Sequence, residues 1–123
     1  MIIALEEAKH KLNAFRENIT ELGSALRIDE LNTKADELEA TTQDPAFWND
    51  QQNSGKVLQE IKRLRSKIEA YEALSEKLED TITLAELAIE EGDESMTDEI
   101  LSEVAAIEAE EERQRIEFLL SGE

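Results

Sequence analysis

Cysteine is absent from this chain of 123 residues, so neither a disulfide framework nor a thiolate metal site can form. His10 is the only histidine, which leaves no cluster of nitrogen or sulfur ligands for zinc. No apolar run is long enough to cross a membrane. The start, Met1 to Leu5, is broken by Glu6 and Glu7 far short of a signal peptide's hydrophobic stretch. A soluble cytoplasmic protein is the expectation. With one proline and four glycines, long helices meet few interruptions; with five aromatics, the core must be aliphatic and narrow. Thirteen basic residues against thirty-one acidic ones give a net charge of −18. A chain so acidic repels polyphosphate as a whole, so only a local basic patch could bind nucleic acid.

What the chain has instead is period. Val57, Ile61, Leu64, Ile68, Tyr71, Ser75, Leu78, Ile82, Ala85 and Ile89 alternate in steps of four and three, with only Ser75 polar. Such a 3.5-residue repeat keeps one stripe of a helix against a partner helix. The expected fold class is therefore all-α: an elongated antiparallel helical bundle or coiled-coil hairpin with short extra helices. One domain is expected over residues 1–123.

Punctuation sets the element boundaries. A first helix is predicted from Ile3 to about Leu22, with a seam of Leu5, Ala8, Leu12, Phe15, Ile19 and Leu22, and Gly23 as its left-handed C-cap. A second helix should start near Asp29 as its cap, with Ile28 as a staple and a seam of Ile28, Leu31, Ala35 and Leu38. Asp44-Pro45 predicts a fresh turn holding Phe47 and Trp48, since proline lacks an N–H that a first turn leaves unbonded. The long helix follows from roughly Gln52 to Glu91, about 60 Å at helical rise. Gly92-Asp93 ends it, and Ser95 with Asp98 resembles a capping pair. A last helix should run from Met96 to about Leu120 on Ile100, Leu101, Val104, Ile107, Ile116, Leu119 and Leu120; its apolar face fades over Glu108 to Arg115.

Catalytic chemistry finds little to use. Acid–base work needs a carboxyl shielded from water, and nearly every Glu lies off the seam on a solvated face. A serine triad would have only His10, and no Gly-rich phosphate loop exists. No cofactor is implied, and the chain reads as no enzyme.

Three features carry the remaining functional signal. Lys56, Lys62, Arg63, Arg65 and Lys67 against Glu60 make a local +4, and Lys56, Arg63 and Lys67 fall within about 40° of one another beside the seam. These three either pair with an acidic neighbour such as the Glu86 to Glu117 segment or contact phosphate on RNA. That acidic segment holds thirteen carboxylates against Arg113 and Arg115; it is a hydrated face or a steering surface for a basic partner. Phe47 and Trp48 are expected to plug the end where the second helix meets the long one, the alternative being an exposed recognition site for a partner.

The run Asp44-Pro45-Ala46-Phe47-Trp48-Asn49-Asp50, the long charged helix, the Gly-Asp break, the Leu22 to Ser24 turn and the ending Phe118-Leu119-Leu120-Ser121-Gly122-Glu123 together resemble the amino-terminal helical domain of the bacterial peptide chain release factor 2 family. The resemblance covers essentially the whole chain, and its most specific parts are the proline-to-tryptophan block and the closing motif. It implies a noncatalytic domain that positions a factor on the ribosome during stop-codon-directed termination, reaching toward the stalk base of the large subunit. It also implies a class II release factor and a release-factor glutamine methyltransferase as partners. The family's Gly-Gly-Gln and Ser-Pro-Phe motifs are absent here and would follow Glu123, so no catalytic or decoding role transfers to any residue. The alternative is an unrelated coiled-coil scaffold or adaptor acting through self-association or protein binding.

Overall fold

The computed structural model describes residues 2–121, and every regular element in that span is helical. Four α-helices, α1 (Ile2–Leu26), α2 (Ile28–Thr41), α3 (Gln51–Glu91) and α4 (Thr97–Ser121), are interrupted by two 3₁₀ turns at Pro45–Asn49 and Glu94–Met96. The all-α expectation holds. The first residue of the apolar start (Met1) and the Gly122-Glu123 end of the closing motif lie outside the described residues.

Helix ends follow the local chemistry, with one displacement. Gly92 takes φ +64°, and the N–H groups of Gly92 and Asp93 donate to the carbonyls of Ile89 and Ala88 at 3.1 and 2.9 Å. That pair of bonds is a Schellman cap, which a residue with a Cβ would strain. Asp93 then starts the next turn: its Oδ1 accepts from the Ser95 N–H at 2.9 Å, so the cap sits two residues before the expected Ser95. Asp44 does the same for Ala46 at 2.9 Å, with Pro45 at the first position, as the Asp-Pro signal predicts. Gly23, however, is not a C-cap. α1 runs through it to Leu26, and the left-handed residue is Arg27, at φ 58°. Burying Leu22 and partly covering Leu26 rewards another helical turn, against about 1 kcal/mol for a helical glycine. Asp29 consequently lies inside the first turn of α2 rather than capping it.

The described residues form two compact units. In one, Arg27–Tyr71, α2 packs on the first half of α3 around Ala35, Leu64 and Ile68, with Leu31 and Leu38 against them. The other contains α1, the second half of α3 and α4. There α1 runs opposite to α3, because Lys9 pairs with Glu86 and Arg16 with Glu79. Its core is aliphatic: Leu5, Ala8, Leu12, Ile19 and Leu22 from α1, Leu74, Leu78, Ile82, Ala85 and Ala88 from α3, and Ile100, Val104 and Ile107 from α4.

Partner number explains a change along α3. Its first half faces one helix and buries only the heptad stripe, at Leu64 and Ile68, together with Ser54 near its start. Its second half faces two helices and buries a second row as well, Leu74, Thr81 and Ala88. Thr81 satisfies its hydroxyl on the Lys77 carbonyl at 2.7 Å, so the polar atom is no loss there.

α4 departs from expectation. The buried residues are Ile100, Val104, Ile107, Glu111 and Gln114, whereas Leu101, Ile116, Leu119 and Leu120 are exposed. The charged middle, Glu108 to Arg115, places two polar residues, Glu111 and Gln114, on the buried side.

Candidate functional site

Among the described residues no group of three or more His, Cys, Asp or Glu side chains is placed to hold a metal ion. The described helices include none long and apolar enough to cross a membrane. An open groove between α3 and α4 is lined by Lys77, Asp80, Glu99 and Glu103.

The basic cluster divides around the seam of α3. At 100° per residue, Arg65 falls on one flank of Leu64 and Ile68, and Lys56, Arg63 and Lys67 on the other. Arg65 reaches α2: its Nε donates to Glu39 at 2.6 Å, Nη2 to Asp36 at 2.6 Å and Nη1 to Asn32 at 3.3 Å. The bond to Glu39 foremost, then that to Asp36, raises the guanidinium pKa further. Arg65 is a cross-helix clamp, which the charge count includes in the cluster without singling it out. Its position next to Leu64 is the signal in the sequence that could have found it. The acidic partners of Arg65 lie on α2.

The other flank carries Lys56, Arg63 and Lys67. Lys56 and Arg63 are exposed and Lys67 is half-buried. Arg63 folds back along its own helix onto Glu60, with Nε to Oε2 at 3.0 Å and Nη2 to Oε1 at 2.7 Å. That bond lowers the Glu60 pKa, and Lys67 adds a smaller pull in the same direction. The predicted stripe is thus one continuous basic flank with a carboxylate in it.

Charge is also divided between the units. Arg27–Tyr71 holds seven basic and nine acidic residues, a net −2; the rest of the chain holds six and twenty-two, a net −16. Within a Debye length of about 8 Å at physiological salt, a polyanion would meet repulsion over the second unit and near neutrality over the first.

The most perturbed carboxylate lies in the acidic unit. Glu110 accepts from both Nε and Nη2 of Arg113, at 2.8 and 2.7 Å, and from Gln114 at 2.8 Å. Arg113, above all, holds its pKa down at about 2. Because the folded value lies below the unfolded one, the pair stabilises above about pH 4.5 and loses that contribution as pH falls toward 2. The pair is partly solvated, so we expect Glu110→Gln to remove less than about 1 kcal/mol at pH 7 and a smaller amount at pH 2. Urea titrations at the two pH values check this; equal losses at both would contradict it.

Phe47 and Trp48 do not form the expected plug. Trp48 is 51 % exposed, and its Nε1–H donates to the Thr42 carbonyl at 3.1 Å. The two rings meet edge to face at 4.9 Å and 85°. The five-residue 3₁₀ turn carries no fully buried residue, and Phe47 is half-buried.

Comparison with known proteins places the chain in a family. Peptide chain release factor 2 of Clostridium perfringens (strain SM101 / Type A) is 41 % identical over 123 residues, all of this chain and 34 % of that protein. Its namesake in Phenylobacterium zucineum is 42 % identical over 90 residues, 73 % of this chain and 24 % of that protein. In Staphylococcus saprophyticus the factor of that name is 30 % identical over 118 residues, 96 % of this chain and 32 % of that protein. The chain spans about a third of the length of these curated relatives. No solved structure matches it. The PCRF domain model matches residues 31–123, from α2 through the exposed aromatic turn, the long α3 and α4, and the chain belongs to that family.

Proposed function

We propose that this domain is a noncatalytic positioning arm of a peptide chain release factor, helping to hold the factor on the ribosome during stop-codon-directed termination. The observation that carries the reading is similarity along the whole of this chain, and over about a third of their own length, to proteins named peptide chain release factor 2. The chemistry of termination would belong to parts of the factor outside residues 1–123. An arm contributes orientation: fixing a large body lowers the entropy cost of placing a distant reactive group.

The contact assigned to this arm is ribosomal RNA at the stalk base of the large subunit, met by Lys56, Arg63 and Lys67. Three cations on one helical flank, in the unit with a net charge of only −2, are suited to phosphate. Arg63 would exchange Glu60 for a phosphate oxygen, a like-for-like swap of anions. A class II release factor and the glutamine methyltransferase would meet the full factor elsewhere.

Competition tests the reading. The isolated domain should displace a full-length factor from ribosomes, more weakly as salt rises. Reversing Lys56, Arg63 and Lys67 to Glu should lower the salt slope by about three, one per lost phosphate contact, with helicity unchanged. An unchanged slope would move the contact away from this flank, with the loop around Asp93 next to test. Sedimentation addresses the adaptor alternative: a monomer at all concentrations is expected, and a concentration-dependent dimer would favour self-association.

A further inference from the structure

The aromatic turn at residues 44–50 is a feature that the basic flank does not use. We propose that it is a docking site for a basic protein segment, with the Trp48 ring seating an arginine or lysine side chain and Asp44 and Asp50 supplying the counter-charge. The proposal stands on the geometry of the turn and does not require the termination reading.

Rigidity comes first. The indole N–H is already bonded to Thr42, and the Phe47 and Trp48 rings meet edge to face, so the half-exposed indole is held in one orientation. The turn beneath it is tied at both ends. Ala46 N–H donates to Asp44 Oδ1 at 2.9 Å and Phe47 N–H to the Asp44 carbonyl at 2.9 Å; Asn53 N–H donates to Asp50 Oδ1 at 3.1 Å and Ser54 N–H to the Asp50 carbonyl at 2.9 Å. A partner would order little on binding, which is how an exposed tryptophan becomes an anchor.

Charge selects the partner. Between Lys34 and Lys56 the chain has no basic residue; Asp36 and Glu39 are already bonded to Arg65, and Asp44 and Asp50 flank the turn. A ring face draws cations through its quadrupole, and guanidinium stacks on it especially well. The carboxylates at both ends of the turn reinforce that preference. They would oppose a nucleotide, whose base could stack on the indole but whose phosphate would approach two like charges. A cationic protein segment satisfies both the ring and the carboxylates.

Trp48 is the only tryptophan, so its emission reports the site directly. The intact chain is titrated with a 12-residue peptide of alternating arginine and glycine, and separately with a 12-nucleotide oligouridylate. The peptide should quench and shift Trp48 emission, in a salt-sensitive way. Asp44→Asn with Asp50→Asn keeps both cap acceptors and removes both charges; it should weaken the midpoint about three- to tenfold. Trp48→Leu, followed through the amide resonances of the turn, should weaken it about two- to fivefold. Attraction to the rest of the acidic chain is common to all variants, so these differences isolate the turn. Midpoints unchanged in both variants would overturn the proposal, as would an oligouridylate that perturbs Trp48 at lower concentration than the peptide.

Discussion

Leu78→Ala and Ile100→Ala should each lower stability by about 3–5 kcal/mol, and Leu64→Ala by only about 2–3 kcal/mol. All three side chains are essentially inaccessible, at 1 %, 0 % and 1 % exposure, so the transfer loss is nearly the same. The difference lies in the cavity. Leu78 and Ile100 belong to the unit built from three helical segments, whose walls cannot all move in to fill a void. Leu64 sits in a cluster of three buried residues with half-buried Leu31 and Leu38 at its margin, where collapse or hydration can relieve the hole. Urea denaturation, analysed with a common m-value for the three variants, decides the matter. Equal losses would mean that the single-partner half of α3 is packed as rigidly as the two-partner half.

These costs follow from a pattern legible in the order of the amino acids. Every heptad position from Val57 to Ile89 is buried or half-buried, and so is every seam residue expected in α1. Period survives because a helix that turns its stripe away from its partner loses all of it at once. Hairpin topology is legible for the same reason, with Gly92 supplying the reversal. Boundaries are less so. Gly23 has the chemistry of a cap, but tertiary burial on both sides keeps it helical and moves the left-handed residue to Arg27, where non-glycine αL geometry costs about 1–2 kcal/mol.

The surface is the harder part. Size alone points Trp48 toward the core, but a five-residue turn cannot cover it. Arg65 and Arg63 are two residues apart and share a charge, yet one crosses to Asp36 and Glu39 while the other folds onto Glu60. Composition cannot separate them; angle around the helix does. On α4 the same rule outperforms residue type. Ile100, Val104, Ile107, Glu111, Gln114 and Phe118 continue in steps of four and three, whereas Ile116, Leu119 and Leu120 lie off that line. Apolar character draws attention to the wrong positions.

Glu111 and Arg115 supply a strong test of that corrected seam, because two substitutions at one ion pair should act in opposite directions. The Glu111 side chain is 6 % exposed, that of Arg115 51 %, and they meet at 3.3 Å, long for a charged hydrogen bond. A buried carboxylate held by one solvated partner gains little Coulomb energy for its lost hydration. Arg115→Ala leaves that carboxylate buried without its cation and should cost about 1–3 kcal/mol. Glu111→Leu instead extends the Ile100, Val104 and Ile107 stripe by one apolar step. It should leave stability unchanged or raise it by about 1 kcal/mol, despite breaking the same pair. Thermal and urea unfolding of the two variants at neutral pH give the answer. If Glu111→Leu proves as damaging as Arg115→Ala, Glu111 is held by more than Arg115 and the inner face of α4 is built around its charge.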